Sequence, residues 1–177
     1  MIRFVRRILR PFRREDGTAT IEFVLAVPVL IMMFTASFES GMVMTRSVML
    51  ERALDITMRE LRLNHYPNPT HDQLKAEICN RTVVINDCLN VIKIELKIMS
   101  KATWTLPTTE PGCIDRAEEI HPPVSLDPGV DDDVMLVNVC VVIDPMFPTT
   151  GVGLHLPKDA TGGFRLMARS AFVNEPT

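Results

Sequence analysis

The chain has 177 residues, of which 46% are hydrophobic and 23% are charged, and its formal net charge is -3. This length fits one compact domain with a short appendage. Only 6% of the residues are aromatic, with one Trp and one Tyr. So few aromatic side chains offer little stacking surface for bases, and an acidic chain repels phosphates. We therefore expect no nucleic-acid partner.

The charge is distributed unevenly along the chain. Residues 1–16 carry six arginines against Glu15 and Asp16, whereas the remainder carries 13 basic and 20 acidic residues. The basic run therefore needs an explanation of its own.

An apolar stretch follows the arginines, and Glu22 is the only charged residue between positions 17 and 38. A helix over this stretch would be about 33 Å long, which covers a hydrocarbon core of about 30 Å. The arginines precede the stretch, so the positive-inside rule predicts a cytoplasmic N-terminus and an exported segment from residue 40 to 177.

The alternative is a cleaved secretory signal peptide with its cut near Ala36 and Ser37. The apolar run is long for such a peptide, and no clear A-x-A site follows it. An acid inside a membrane segment also indicates a function, which a discarded peptide would not need.

Residues 13–23, RREDGTATIEF, with the following VLAVPVLIMMF, resemble the N-terminus of TadE-like minor pilins, or pseudopilins, of tight-adherence (Flp, type IVb) pilus systems. The ending AFVNEP at 171–176 is similar to the Arg-Asn-Glu-Pro ending of that family, with Val173 in place of the arginine. The resemblance covers the start and the end of the chain, and the middle matches only in its layout.

The resemblance implies that a prepilin peptidase removes the leader, residues 1–17, by cutting after Gly17. Thr18 would then be the first residue of the mature chain and Glu22 the fifth. It also implies a single-pass inner-membrane protein with a periplasmic C-terminal domain that can enter the extracellular pilus. The implied partners are the peptidase, the major pilin, other minor pilins and the pilus assembly platform.

The spacing of Thr18 and Glu22 gives this motif a physical basis. Cleavage would leave a charged amine on Thr18, and Glu22 lies one helical turn later on the same face. It could pair with that amine or with the amine of a neighbouring subunit. Alternatively, Glu22 reaches the headgroups and pairs with nothing.

Pro28 stands in the middle of the predicted membrane helix, 18–38. It lacks an amide and leaves the carbonyl of Val24 without its helical donor, which predicts a kink. Such a kink could serve bending during assembly, or the proline could be tolerated without a role.

The helical pattern continues beyond the membrane segment. Charges appear between residues 39 and 63, while Val43, Leu50, Leu54 and Leu61 keep an apolar stripe. The pattern predicts one helix of roughly 45 residues, about 65–70 Å long, whose 39–63 half packs on the exported domain. We assign the methionines of this half to core packing rather than to a metal site or a promiscuous binding groove.

A two-proline turn at 64–69 ends this helix and begins the exported domain, residues 64–177. Thr70 with Gln73 is a capping-box pattern that opens a short helix ending near Cys79.

Three segments then have the composition and alternation of strands, and the second is apolar enough to be central in a sheet. They lie at 92–98, 134–143 and 164–173. Proline-rich stretches at 105–131 and 144–163 predict irregular excursions between them. The predicted fold is α+β and pilin-like, with a long N-terminal helix packed on a small antiparallel sheet.

All four cysteines lie in the exported part, where an even number favours disulfides. Three pairings are possible. We favour Cys79 with Cys88, tying the short helix to the first strand, and Cys113 with Cys140, pinning the first excursion to the central strand. Closing these loops would stabilise the fold by on the order of 3 kcal/mol each.

No motif nominates a catalytic, cofactor-binding or metal site. The four histidines are scattered and no Cys-x-x-Cys exists, which argues against zinc. Asp131, Asp132 and Asp133 lack the spacing of a calcium loop and fit an acidic turn before a strand. We therefore predict that the protein is not an enzyme and carries no cofactor.

Three functions remain in competition. The first is a minor pilin that primes, tips or regulates a tight-adherence pilus. The second is an uncleaved bitopic inner-membrane protein whose periplasmic domain binds a partner. The third, an anchored periplasmic enzyme, has no residue constellation in its favour. Only the first predicts a mature N-terminus at Thr18.

Overall fold

A computed structural model gives the fold. It describes residues 18–63, 65–66, 69–104, 112–118, 126, 129–130, 132–149 and 151–175. Gly17, His121 and Asp131 lie outside the described residues. The elements in chain order are α1 (Thr18–Arg62), α2 (His71–Arg81), α3 (Cys88–Val91), β1 (Ile92–Met99), β2 (Val134–Ile143), α4 (Gly151–His155) and β3 (Phe164–Val173).

The longest element, α1, is one continuous helix of 45 residues, which at 1.5 Å per residue is about 68 Å long. The prediction of a single helix through the apolar stretch and beyond it is confirmed. Leu50, Leu54 and Met58 are buried at helical spacing in its second half. Met44 is 69% exposed, so the assignment of the methionines to the core is right for Met58 and wrong for Met44.

The three strands form one antiparallel sheet in the order β1-β2-β3. Ile92 lies opposite Val141, and Val134 lies opposite Val173. The second and third strands have their predicted bounds, and the first extends one residue further, to Met99. Every residue of β2 from 137 to 143 is buried, because β2 pairs on both edges and is covered on both faces. The predicted α+β fold with an antiparallel sheet is confirmed.

The hydrophobic core lies between the sheet and the helices α1 and α2. Alternate strand residues point to this face, as the pleat of a strand requires. The buried side chains of the core include Leu50, Leu54, Met58, Leu74, Ile78, Ile92, Ile94, Leu96, Val137, Val139, Val141, Leu166 and Ala168. The other face of β2 carries Cys140 and Val142, and the disulfide to Cys113 holds residues 112–118 near it.

The capping-box pattern predicted the start of α2 correctly. The hydroxyl of Thr70 accepts the backbone N–H of Gln73 at 3.2 Å, so Thr70 is the N-cap, and the helix ends at Arg81 rather than near Cys79. The two shortest helices, α3 and α4, are only four and five residues long, too short to carry a periodic pattern, and the sequence did not predict them.

Two contacts fix the direction of the sheet relative to α1. Arg46 donates to the backbone carbonyl of Asp144, just after β2, at 3.3 Å. Near the other end of the helix, Arg62 forms an ion pair of 2.7 Å with Glu175, just after β3. The end of β2 and the start of β3 therefore lie at the end of the domain nearer to the apolar half of α1, and we call this the proximal end of the domain.

Candidate functional site: the apolar helix and its junction with the domain

The first half of α1 has almost no contact with the other described residues. One window of 18 residues in this helix has a mean hydropathy of 2.1, and none of it is buried. Phe23, Leu25 and Phe34 are each between 67% and 71% exposed. Side chains this apolar are stable in lipid or against other apolar helices, and not in water.

The predicted cleavage junction lies at the boundary of the described residues. Gly17 lies outside them, and Thr18 is the first residue of α1. A chain cut after Gly17 would therefore begin directly with this helix. Its new amine would stand at the helix N-terminus, where the helix dipole disfavours a positive charge and an acidic partner is favourable.

Glu22 is exposed on the surface of α1, and Ile21, Phe23 and Val24 around it are exposed and apolar. Within the described part of the chain, no hydrogen bond or ion pair reaches its carboxylate. A carboxylate in apolar surroundings is costly unless it is paired. The structure therefore leaves Glu22 available for a partner.

Pro28 lies inside α1, and the helix continues through it. Two hydroxyls near the end of this half bond to the helix itself: Ser37 donates to the carbonyl of Met33 at 2.9 Å, and Thr35 donates to that of Ile31 at 3.0 Å. These two hydroxyls therefore have partners that do not depend on water.

A second acid, Glu39, marks the point where α1 enters the domain, and it is completely buried. Its two carboxylate oxygens each accept a backbone N–H from the segment after β2, that of Met146 at 3.1 Å and that of Phe147 at 3.0 Å. A charge-assisted pair of this kind fixes the segment to the helix. The sequence predicted no role for Glu39 beyond the end of the apolar stretch, although a lone acid directly after such a stretch is a signal.

Apolar contacts surround Glu39 on both sides of the junction. The rings of Phe38 and Phe147 meet edge to face with centroids 6.2 Å apart, and Phe38 stacks on Phe34 at 6.4 Å. Gly151 comes so close to α1 that a Cβ there would lie 3.1 Å from the Cβ of Ala36.

Arg46 on α1 and Arg116 in the domain both bind Asp144, next to the segment that Glu39 holds. Both terminal nitrogens of Arg116 bind the Asp144 carboxylate, at 2.8 and 3.0 Å. These hydrogen bonds from Arg116 hold the pKa of Asp144 below its usual value. A cavity of about 270 Å³ lies beside them, lined by Arg46, Asn86, Asp87, Val91, Arg116, Val142, Ile143 and Asp144. Its two acids offset its two arginines, so it is not an anion site.

The four cysteines form two disulfides, which join Cys79 to Cys88 and Cys113 to Cys140. This is the pairing that the sequence favoured. The first connects the end of α2 to α3, and the second connects residues 112–118 to β2. Among the described residues no group of three or more histidines, cysteines and acids is placed to hold a metal ion.

The acidic turn before β2 has a structural role. The Asp133 carboxylate accepts the N–H of Val130 at 3.1 Å, and the N–H of Asp132 donates to the carbonyl of Asn174 at 3.1 Å. These bonds close the distal end of the sheet, as the interpretation of an acidic turn requires.

These features define a class of protein. One N-terminal helix is long and apolar enough to cross a membrane, and a small α+β domain packs on its second half. This arrangement indicates a membrane-anchored, single-pass protein.

The family model described as "TadE-like protein" matches residues 17–59. This match confirms the resemblance over residues 17–59, which are similar to TadE-like proteins and include most of α1. The match ends within α1, so the sheet lies outside it. No curated protein and no solved structure matches the chain.

Proposed function

We propose that this protein is a minor pilin, or pseudopilin, that acts in the assembly, priming or tip of a tight-adherence pilus. Its leader is cleaved after Gly17, its helix crosses the inner membrane with the N-terminus cytoplasmic, and its domain is periplasmic. The proposal gives the protein no catalytic role and no cofactor. One observation carries it: the TadE-like helix presents an acid, Glu22, that has no partner among the described residues and lies one turn after Thr18, where cleavage would create the new amine.

The exposure of the apolar half of α1 supports the proposal that the subunit moves from the lipid bilayer into an assembly. In the membrane, lipid tails cover residues such as Leu25 and Phe34. In an assembly, apolar helices of sister subunits can cover the same surfaces. Removal of six arginines by cleavage would lower the cost of leaving the bilayer, because those charges anchor the helix at the cytoplasmic side.

Glu22 supplies a second line of support. A Glu22 carboxylate and a Thr18 amine are one helical turn apart within a chain, and they can also meet between two subunits that are shifted along their helices. Pairing between subunits would fix the axial position of each helix in the assembly. An apolar surface alone cannot do so, because it can slide.

The second candidate function is an uncleaved bitopic membrane protein whose domain binds a periplasmic partner. The compact domain and its junction at Glu39 suit this function equally well. The two candidates differ in the leader, because only the pilin needs a free amine on Thr18.

The experiment is intact-mass analysis of the membrane form from cells with an active prepilin peptidase. We expect a chain that begins at Thr18, and we expect Gly17→Leu to keep the leader. Gly41→Leu is the matched control, because Gly41 is exposed on the same helix and a Cβ there would meet nothing within 4 Å. An uncut wild-type chain, or one that begins near Phe38, would remove the pilin proposal.

A second measurement addresses the proposed partners. If the subunit enters the fibre, it should co-purify with sheared pili and crosslink to the major pilin or to other minor pilins. If it stays in the membrane, it should instead be recovered with the assembly platform. Recovery with neither would favour the bitopic alternative.

A further inference from the structure

The proximal end of the domain carries a segment that reaches back along α1 into the apolar half of the helix. We call residues 144–149 and 151–156 the collar. The collar includes α4 and forms the first part of the connection between β2 and β3. It was predicted only as an irregular excursion, and the proposed function does not use it.

The collar touches α1 at a height that belongs to the membrane segment. Gly151 packs against Ala36, and Phe147 packs against Phe38. Ala36 lies 17 residues after Ala19, which is about 26 Å along the helix axis. With the first turn of α1 at the cytoplasmic boundary of a hydrocarbon core of about 30 Å, Ala36 lies within the last few ångströms of that core.

Apolar side chains of the collar are exposed at this height. Leu154 is 55% exposed and Met146 is 47% exposed, and Phe38 on α1 is 42% exposed. Ring contacts join Phe34 to Phe38 and Phe38 to Phe147, which directly follows Met146 in the collar. These apolar contacts lead from the surface of α1 that lipid tails would cover onto the collar.

Several polar groups in and beside the collar have partners within the chain. The N–H groups of Met146 and Phe147 are both taken up by Glu39, which in turn neither faces lipid nor stays unpaired. Asp144 is paired with Arg116. Lys158 donates to the carbonyl of Pro148 at the edge of the collar, where its ammonium can also reach lipid phosphates.

We infer that the collar is a lipid-contact element, with Leu154 and Met146 inserted at the boundary between the headgroups and the acyl chains of a phospholipid bilayer. Interfacial elements of this kind bury their apolar face about 5–10 Å into the boundary. The collar thereby sets the height and the tilt of the domain on the membrane. The inference rests on membrane insertion of α1 but not on cleavage at Gly17 or on entry into a pilus.

The test measures the depth of single labels in the full-length protein, reconstituted in vesicles of phosphatidylcholine and phosphatidylglycerol. All four native cysteines are in disulfides, so a thiol-reactive fluorophore labels only an introduced cysteine. The variants are Leu154→Cys in the collar, Val29→Cys in the middle of α1 and Val130→Cys at the distal end of the sheet. The last is the matched control, because Val130 is apolar and 71% exposed.

We expect lipids with a doxyl group near the headgroup to quench the Leu154 label several-fold more than the Val130 label. The Val29 label should respond most to lipids with a deep doxyl group. If Val29 is quenched and Leu154 behaves like Val130, the collar inference is wrong while α1 is inserted. A Leu154 label that is shielded from both water and doxyl lipid lies against another protein copy, and that result also overturns the inference.

A second variant tests the collar without a label at Leu154. With the fluorophore at Met146→Cys, Leu154→Glu should reduce quenching by the shallow doxyl lipid, because a carboxylate is disfavoured at that depth. Val130→Glu should leave it unchanged. Equal quenching in the two variants would contradict lipid contact by Leu154.

Discussion

The two halves of α1 belong to one helix but are stabilised in different ways. Between residues 19 and 38 no side chain is buried, whereas from Glu39 to Met58 a buried stripe packs on the sheet. The first half has little contact within the chain, so its surroundings decide its stability. The second half is held by its own domain.

The acids of the two halves show the same contrast. Glu39 is fully buried and has both oxygens satisfied by backbone N–H groups of the same chain. Glu22 is exposed among apolar side chains, and the described residues supply it with no partner. The comparison teaches that an acid in an apolar helix is structural where the fold supplies its donors, and is a candidate for intermolecular contact where the fold does not.

The largest expected effect comes from Glu22→Gln, which keeps the shape and removes the charge. If the partner is the Thr18 amine of the same or a neighbouring subunit, that amine loses its counter-charge. Leaving one member of a buried pair uncompensated costs about 3–5 kcal/mol, which is several hundredfold or more in association. We expect normal or slightly easier insertion, normal folding and a loss of sheared pili, measured by immunoblot.

Glu51→Gln is the control for this variant, because Glu51 is an exposed acid on the domain half of the same helix. Normal piliation by an inserted and cleaved Glu22→Gln protein would contradict the pairing role. It would leave Glu22 as an acid that only reaches the headgroups.

Removing a disulfide should affect the domain alone and leave the apolar half of α1 as it is. Loop-closure entropy predicts that Cys113→Ala with Cys140→Ala lowers the free energy of unfolding by about 3.6 kcal/mol. Cys79→Ala with Cys88→Ala should lower it by about 2.7 kcal/mol, because the loop between Cys79 and Cys88 is shorter. Hydrogen exchange of the β2 amides measures both losses. A larger loss for the shorter loop would contradict the entropic account, and four reactive thiols in native exported protein would contradict the pairing itself.

Glu39→Gln should destabilise the junction. The amide oxygen can accept one of the two N–H groups, and the other is left without an acceptor, which costs about 1–3 kcal/mol. We expect faster hydrogen exchange of Met146 and Phe147, with unchanged cleavage at Gly17. The Glu51→Gln protein is again the control. Unchanged exchange at both amides would show that Glu39 does not hold the collar.

The smallest effect concerns the distal end of α1, where Glu60 accepts the hydroxyl of Tyr66 and a guanidinium N–H of Arg81, each at 2.7 Å. The Tyr66 hydrogen bond, supported by the charge of Arg81, holds the pKa of Glu60 below its ordinary value of 4.5. A lowered folded pKa stabilises the fold above pH 4.5, and this contribution is lost as the pH falls through the folded pKa.

Glu60→Gln should therefore reduce the loss of stability in acid, by less than about 1 kcal/mol because the side chains are partly exposed and solvent screens them. Denaturant titrations between neutral and acidic pH measure the difference. Glu51→Gln should leave the pH dependence as in the wild type. An unchanged pH profile of Glu60→Gln would contradict the contribution of this cluster.

The sequence by itself determined the long helix, the three strands, the start of α2 and the TadE-like motif. Each of these depends on a local signal: an apolar stretch, a period of two or 3.6 residues, or a capping pair. The central position of β2 was also visible, because only a strand covered on both faces is apolar at nearly every position.

Only the tertiary structure decided the surroundings of Glu39, the collar and its contact with Ala36. The partners of Glu39 lie more than 100 residues further along the chain and are backbone N–H groups, which no side-chain pattern encodes. The collar has no readable period because its helix α4 is only five residues long and contacts with α1 fix the position of the rest. Local spacing therefore revealed which segments are helices and strands, while the junction between membrane helix and domain depends on long-range contacts that exist only in the folded chain.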